Sequence, residues 1–394
     1  MNSRERVAAA MGHGVPDRVP VMCQLALGHY FLRAGRRPSD IWFDSGVFAE
    51  TLVAFRERYG FDGILVNLPG RPSGWRTHLA DRRDAGDREI LRWKAGLETR
   101  FPPDDNPHAF LDGGGTLPRA RCDAVDPEDP GTYRTAGYVW NTWHAPSLWD
   151  IPDGADLTDP GSYPAWFTAA LSAVREACPD VSVHAEVFSP FTHLVELFGY
   201  EDALLALVDA PGTCLRLLDV LGSMVVAQVR RIGPVGPDAV LISSAFAGAG
   251  FISREMYRRF VLPVERRLAE AIRGEGLPSY THTCGAIGDR LDLMAETGVD
   301  GIDTLDPPPL GTIDLARAKA EFGRRFFFKG NLDAVNEMLH ADEATFERAV
   351  RRRLDIGMPG GGYILSSACS VSPHVRPERL CRMVELAERH GRYR

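Results

Sequence analysis

Long apolar runs are missing from this chain. No uninterrupted apolar run approaches roughly 18 residues, and Met1-Asn2-Ser3-Arg4-Glu5-Arg6 leads into a helical pattern instead of an apolar signal core. The expectation is a cytoplasmic protein with no membrane partner. Positive charge is also in deficit, with 45 Lys and Arg against 53 Asp and Glu and a net charge of −8. That balance implies no nucleic-acid surface. Cysteine is sparse: seven residues, an odd number, are scattered through 394 positions and make no disulfide framework. Cys23, Cys122, Cys178, Cys214 and Cys381 have no ligand-like neighbours and read as small buried apolar residues. No Gly-x-Gly-x-x-Gly follows the first strand pattern, which weighs against dinucleotide binding.

What is present is the composition of a globular protein, 44% hydrophobic and 25% charged. Ser3 reads as the N-cap of a first helix, with Arg6 where a capping box would want Glu. Arg18–Met22 reads as a first strand, residues 40–59 as a helix and Phe61–Asn67 as a second strand. Between 70 and 150 the texture changes to Arg, Asp, Gly, Pro and Trp, with alternating stretches such as Glu89–Trp93 and Tyr138–Trp140. That is hairpin and loop material, expected as an insertion covering one end of the fold. Its Trp75, Trp93, Trp140, Trp143, Arg71 and Arg76 suggest an aromatic or anionic small-molecule substrate.

From residue 160 onward helices and short strands alternate. Strands are expected at 181–187, 239–243, 278–284, 301–305, 325–328 and 362–366, and helices at 162–177, 191–232 (broken at Pro211-Gly212), 254–274, 290–297, 313–322, 342–356 and 377–390. Eight strands, each followed by helix or by the insertion, predict an α/β protein: a single (β/α)8 TIM barrel over 1–394, with 70–150 inserted after the second strand. A doubly wound open sheet is the alternative.

Such barrels react at the carboxyl ends of their strands. His282 and Cys284, two apart on one strand, share a face there, and Cys369 ends the eighth strand. Imidazole and thiolates are donors that zinc takes in tetrahedral sites. A cysteine nucleophile activated by histidine is the alternative, but two separate cysteines suit a metal better. Asp306 and Asp303 end the sixth strand, and Asp306, at the very end, ranks first as fourth ligand. Glu186 is a candidate for ligation or proton transfer. His184 either lines the pocket or sits satisfied in the core. Asn331 and Asp333 either fix a substrate or cap the next helix, Lys329 is a candidate pocket cation, and Gly360-Gly361-Gly362 marks a tight turn.

These residues resemble the uroporphyrinogen decarboxylase superfamily, and within it the cobalamin-dependent methyltransferase branch. The similarity lies in Arg4–Met11 with Pro16–Val21, in His282-Thr283-Cys284-Gly285, Gly298–Gly301 and Gly330–Asp333, and in Gly360–Leu365. The resemblance implies the same barrel, with His282, Cys284 and Cys369 as zinc ligands. Cobalamin-independent methionine synthase is similar in carrying an acidic residue about twenty positions after His-x-Cys, the slot that Asp306 would fill. Decarboxylases of the family resemble one another in an Arg-Gln-Ala-Gly-Arg-Tyr element; here Arg33-Ala34-Gly35-Arg36-Arg37 lacks its Gln and Tyr. The implied function is a zinc-dependent methyltransferase moving a methyl group between a corrinoid and a small thiol or methylated substrate. A metal-free decarboxylase of an aromatic or pyrrolic acid is the alternative. The chain holds no Asp-x-His-x-x-Gly corrinoid signature, so the corrinoid (methylcobalamin) would come on a partner protein or free.

Overall fold

Short runs rich in Val, Ile and Leu, bounded by Gly, Asp and Pro, form the central strands. A computed structural model of the chain describes residues 1–117, 119–129, 132, 151, 152 and 154–393. The expected strand Tyr138–Trp140 and the aromatic residues Trp140 and Trp143 lie outside the described residues. Seven strands, β1 (Gly63–Val66), β6 (Ser182–Phe188), β7 (Ala239–Ser243), β8 (Ser279–His282), β9 (Gly301–Thr304), β10 (Phe327–Leu332) and β11 (Tyr363–Ser367), make one parallel sheet in that order. The sheet curls, with helices between consecutive strands. Between β1 and β6 the chain builds a second, antiparallel sheet of β2 (Leu79–Ala85), β3 (Arg88–Trp93), β4 (Leu97–Phe101) and β5 (His108–Leu111).

The expected first strand is reduced to isolated bridges, Val21 with Leu365 and Leu25 with Val371. Its donors explain why. Pro20 has no N–H, and the Val21 N–H goes to the Asp62 carboxylate at 2.9 Å instead of a neighbouring backbone. The segment nevertheless touches both edges of the sheet: Leu365 N–H donates to Pro20, Met22 N–H to Leu365, and Asp62 N–H to Val21.

Asp62 is fully buried and also takes Arg6 Nη1 at 2.7 Å, Arg18 Nη1 at 2.8 Å and Ser3 Oγ at 2.9 Å. This fastens the first helix, Ser3–Met11, under the sheet, where Val7, Ala10 and Met11 pack with Met22, Leu65, Leu241, Tyr280, Phe327 and Ile364. Its N-cap is Asn2, not Ser3: the Asn2 side chain caps Glu5 N–H and Glu5 returns the bond, so the box is complete one residue earlier than expected.

Helix boundaries differ from expectation where a local breaker was missed. Asp44 splits 40–59 into Pro38–Phe43 and Ser45–Tyr59 by capping Gly46 and Val47. Gly199, at φ +82°, adds a break inside 191–232. The segment from Pro211 to Val235 has the length and apolarity of a membrane span, and Leu217, Leu221, Val225 and Val229 of its helix are buried. The turn Gly360-Gly361-Gly362 runs at positive φ throughout, and a Cβ on Gly361 would meet the Gly14 carbonyl at 2.3 Å.

Candidate metal centre at the carboxyl ends of the strands

Register decides which side chains meet. One row across the sheet runs Phe188, Ser243, His282, Asp303 and Lys329, on β6 to β10. His282 closes β8, Cys284 follows two residues on, and Cys369 lies two residues past β11. Although 85 positions apart, the two sulfurs are 3.7 Å from each other, and Cys284 Sγ is 3.4 Å from His282 Nε2. The three donor atoms all lie within 4.8 Å of one another. Donors about 2.3 Å (sulfur) and 2.0 Å (nitrogen) from one tetrahedral ion stand about 3.8 Å apart for S–S and about 3.5 Å for S–N. The spacing suits one ion held by all three.

The imidazole is fixed from behind. Asp303 Oδ2 lies 3.2 Å from His282 Nδ1, and its Oδ1 accepts from Lys329 Nζ at 2.8 Å. With Nδ1 donating to the carboxylate, Nε2 is the nitrogen that would take a metal, on giving up its proton. Burial pushes the Asp303 carboxyl up, but Lys329 and His282 outweigh it and hold the pKa near 2. Burial likewise works against a charged His282, yet its bonds to Asp303 and Cys369 push it up to about 10. The hydrogen bond between the two cysteines holds Cys369 well below the usual thiol range and Cys284 well above it.

Other expected site residues fall at different depths. Asp306 stands outside the three-donor group: its Oδ2 accepts from Gly285 N–H at 2.7 Å, and burial pushes it up to about 6. Asp303 is the carboxylate that touches His282, at its Nδ1. Glu186 shares a cavity of about 280 Å³ with Trp42, Asp104, His282, Cys284 and Cys369, and burial pushes its carboxyl up to about 7. Lys329 is buried in its ion pair instead of standing free as a pocket cation. His184 lies deeper, its Nε2 3.0 Å from Ser182 Oγ and its Nδ1 2.8 Å from Tyr280 Oη, and burial lowers it to about 3. It is the satisfied core histidine of the two readings. Asn331 Nδ2 donates to the Leu305 carbonyl at 2.8 Å, and Asp333 Oδ1 caps Val335 and Asn336.

Sequence reading missed Trp42 and Asp104 as cavity walls, since both reach the mouth only through tertiary packing. The Asp303–His282 contact was available from register, because the two residues sit opposite each other on adjacent strands.

Known proteins place this architecture. A methyltransferase from Methanosarcina mazei shares the fold, with a TM-score of 0.70 over 99% of both chains at 15% identity. A uroporphyrinogen decarboxylase of Saccharopolyspora erythraea is 33% identical over 182 residues, 45% of this chain and 48% of its own length. A "Methylcobamide:CoM methyltransferase MtbA" of Methanosarcina acetivorans is 26% identical over 174 residues, 44% of this chain and 48% of its own. The chain spans about half the length of the curated relatives it matches. Residues 145–390, well over half of the sequence, match the family model described as uroporphyrinogen decarboxylase (URO-D), and the chain belongs to that family.

Proposed function

We propose that this protein is a zinc-dependent methyltransferase that moves a methyl group between a corrinoid supplied in trans and a small thiol or methylated substrate. The observation that carries the reading is the donor set of His282, Cys284 and Cys369, spaced for one tetrahedral ion. Bound there, zinc supplies a Lewis acid that holds a substrate thiol as thiolate or polarises a methylated heteroatom. The chain's own residues do the rest. Asp303, anchored by Lys329, sets the imidazole's tautomer and angle. His282, Cys284 and Cys369, all lining the cavity, would hold the ion, and Glu186, on the same wall, would hold or move the substrate's proton. The curled sheet, with residues 20–22 bonded to both its edges, supports reading the whole as a (β/α)8 barrel reacting at its carboxyl-terminal mouth. On this reading the segment after β1 reaches the mouth through Asp104, Asp105 and Asn106, which help line the cavity.

Most curated relatives carry the name uroporphyrinogen decarboxylase, which keeps a metal-free decarboxylase as the rival. In the segment that departs from the decarboxylases' Arg-Gln-Ala-Gly-Arg-Tyr element, two of the arginines are held in ion pairs away from the cavity. Arg36 pairs with Glu50 and Arg37 with Asp84 and Glu89, and Arg33 is exposed.

Metal analysis of protein purified without added zinc separates the two. About one equivalent of zinc is expected, lost in Cys284→Ser and in Cys369→Ser. Zinc-loaded protein should demethylate methylcobalamin in the presence of small thiols, or methylate cob(I)alamin from a methylated donor. A folded protein that binds no zinc overturns the reading in favour of the decarboxylase.

A further inference from the structure

Beside the Cys-His site lies a second chamber of about 60 Å³, walled mainly by apolar and aromatic side chains that include Tyr163, Trp166 and Phe167. It shares Leu68, Glu186 and Phe188 with the metal-side cavity. Into this apolar wall the chain places a guanidinium. Arg71 is 4% exposed, and its Nε and Nη2 have no hydrogen-bond partner among the described residues. A buried cation without an anion is strongly disfavoured, so one kept in place calls for a purpose.

The residue is held firmly. Its N–H donates to Ser45 Oγ at 2.8 Å, and the preceding Gly70 N–H donates to the Phe167 carbonyl at 2.8 Å. Only glycine fits at position 70, because a Cβ there would stand 1.7 Å from the Trp166 carbonyl. The guanidinium lies over the Trp42 ring, 5.1 Å from its centroid, and Trp42 in turn lines the cavity that holds Cys284 and Cys369. Burial alone lowers the Arg71 pKa to about 10, which leaves it charged at neutral pH.

We propose that Arg71 anchors the carboxylate of an aromatic substrate, whose ring lies among the aromatic walls and whose far end faces the His282–Cys284–Cys369 side. A planar carboxylate matches the guanidinium fork, and the aromatic lining suits an apolar body that reaches from the chamber into the adjoining cavity of about 280 Å³. This names the substrate class of the proposed function and rests on that reading only for what happens at the far end.

Benzoate, benzamide and inorganic phosphate, titrated calorimetrically, test it. They are added to the wild-type protein and to the Cys284→Ser/Cys369→Ser double variant, in which a carboxylate cannot be captured by a metal. Benzoate should bind both proteins, with benzamide and phosphate weaker by about tenfold or more. Arg71→Met should weaken benzoate by a similar factor, with Arg71→Lys in between, and should melt at higher temperature than wild type without ligand because an uncompensated buried charge is gone. Benzamide or phosphate binding as well as benzoate overturns the proposal. So does unchanged benzoate affinity in Arg71→Met, or a lower melting temperature in that variant. The benzoate–benzamide comparison on wild type needs no variant to fold. Benzoate binding in a protein that takes no zinc sinks only the methyltransferase reading, whereas zinc-loaded protein without benzoate selectivity sinks only this one.

Discussion

Asp303 braces His282 from behind, its Oδ2 3.2 Å from the ring's Nδ1, while its other oxygen is tied to Lys329. A ligand imidazole held this way loses less freedom on binding a metal and is more basic at its free nitrogen. Both partners of the Asp303–Lys329 pair are buried, so deleting either leaves an uncompensated charge and confuses binding with folding. Asp303→Asn keeps the volume and an acceptor but drops the charge; because it too leaves the Lys329 charge uncompensated, affinity is read on the folded fraction, with stability measured alongside. Its zinc affinity should fall by about 10- to 100-fold, read by competition with a chromophoric chelator. An affinity within threefold of wild type would assign Asp303 to the fold and not to the metal.

Glu186 is expected to act on protons and not on the metal. Glu186→Gln should therefore retain zinc while the rate of methyl transfer falls by about 10²- to 10⁴-fold. Its carboxyl, pushed up to about 7 by burial, has to be ionised to accept a proton. The wild-type rate should climb with pH up to about 7, or somewhat lower where a bound cation draws the pKa down, and the Gln variant should lose that limb. A variant that loses zinc as well would make Glu186 a ligand instead.

Asp62 is the clearest stability determinant outside the site. Its fully buried carboxylate takes two arginines, a serine hydroxyl and the Val21 N–H, so it ties the first helix and residues 18–21 to β1. Asp62→Ala leaves the Val21 N–H unpaired and takes from Arg18 its close carboxylate, while Arg6 keeps its pair with Asp17, and should cost about 3 kcal/mol, measured by urea denaturation. Zinc content of the folded fraction should not change, because the network sits at the opposite end of the strands from His282.

The same network shows what sequence can and cannot tell. The alternation of apolar runs located all seven strands of the parallel sheet, because their positions are set by local hydrophobicity. It also put His282, Cys284 and Cys369 at one end, since strand direction follows from alternation with helices. Arg18–Met22 looked like an ordinary strand because nothing local says that Val21 gives its N–H to a carboxylate forty-odd residues away. At the site, too, a decisive contact is not local: the register of β8 and β9 sets Asp303 beside His282. Arg71 stood in the sequence among the Trp and Arg residues that suggest an aromatic or anionic substrate; its burial without a partner among the described residues belongs to the tertiary structure alone.

Glu265 gives a test of linkage away from the Cys-His site. It is fully buried on the helix Leu262–Gly274, with Tyr257 Oη donating to its Oε2 at 3.1 Å and no cation beside it in an ion pair among the described residues. Burial raises its pKa from the ordinary 4.5 to about 7. Between those values the folded protein holds a proton that the unfolded chain has released, so stability falls as pH rises from about 4.5 to about 7 and is level beyond. A shift of that size corresponds to about 3 kcal/mol. Glu265→Gln is neutral at every pH and keeps an acceptor for Tyr257. Relative to wild type it should gain about 3 kcal/mol between pH 4.5 and pH 7.5, measured by urea denaturation at both values. Other raised carboxyls, Glu186 and Asp306 among them, are present in both proteins and cancel in the difference. A pH-independent difference would mean that Glu265 ionises normally and is hydrated in solution.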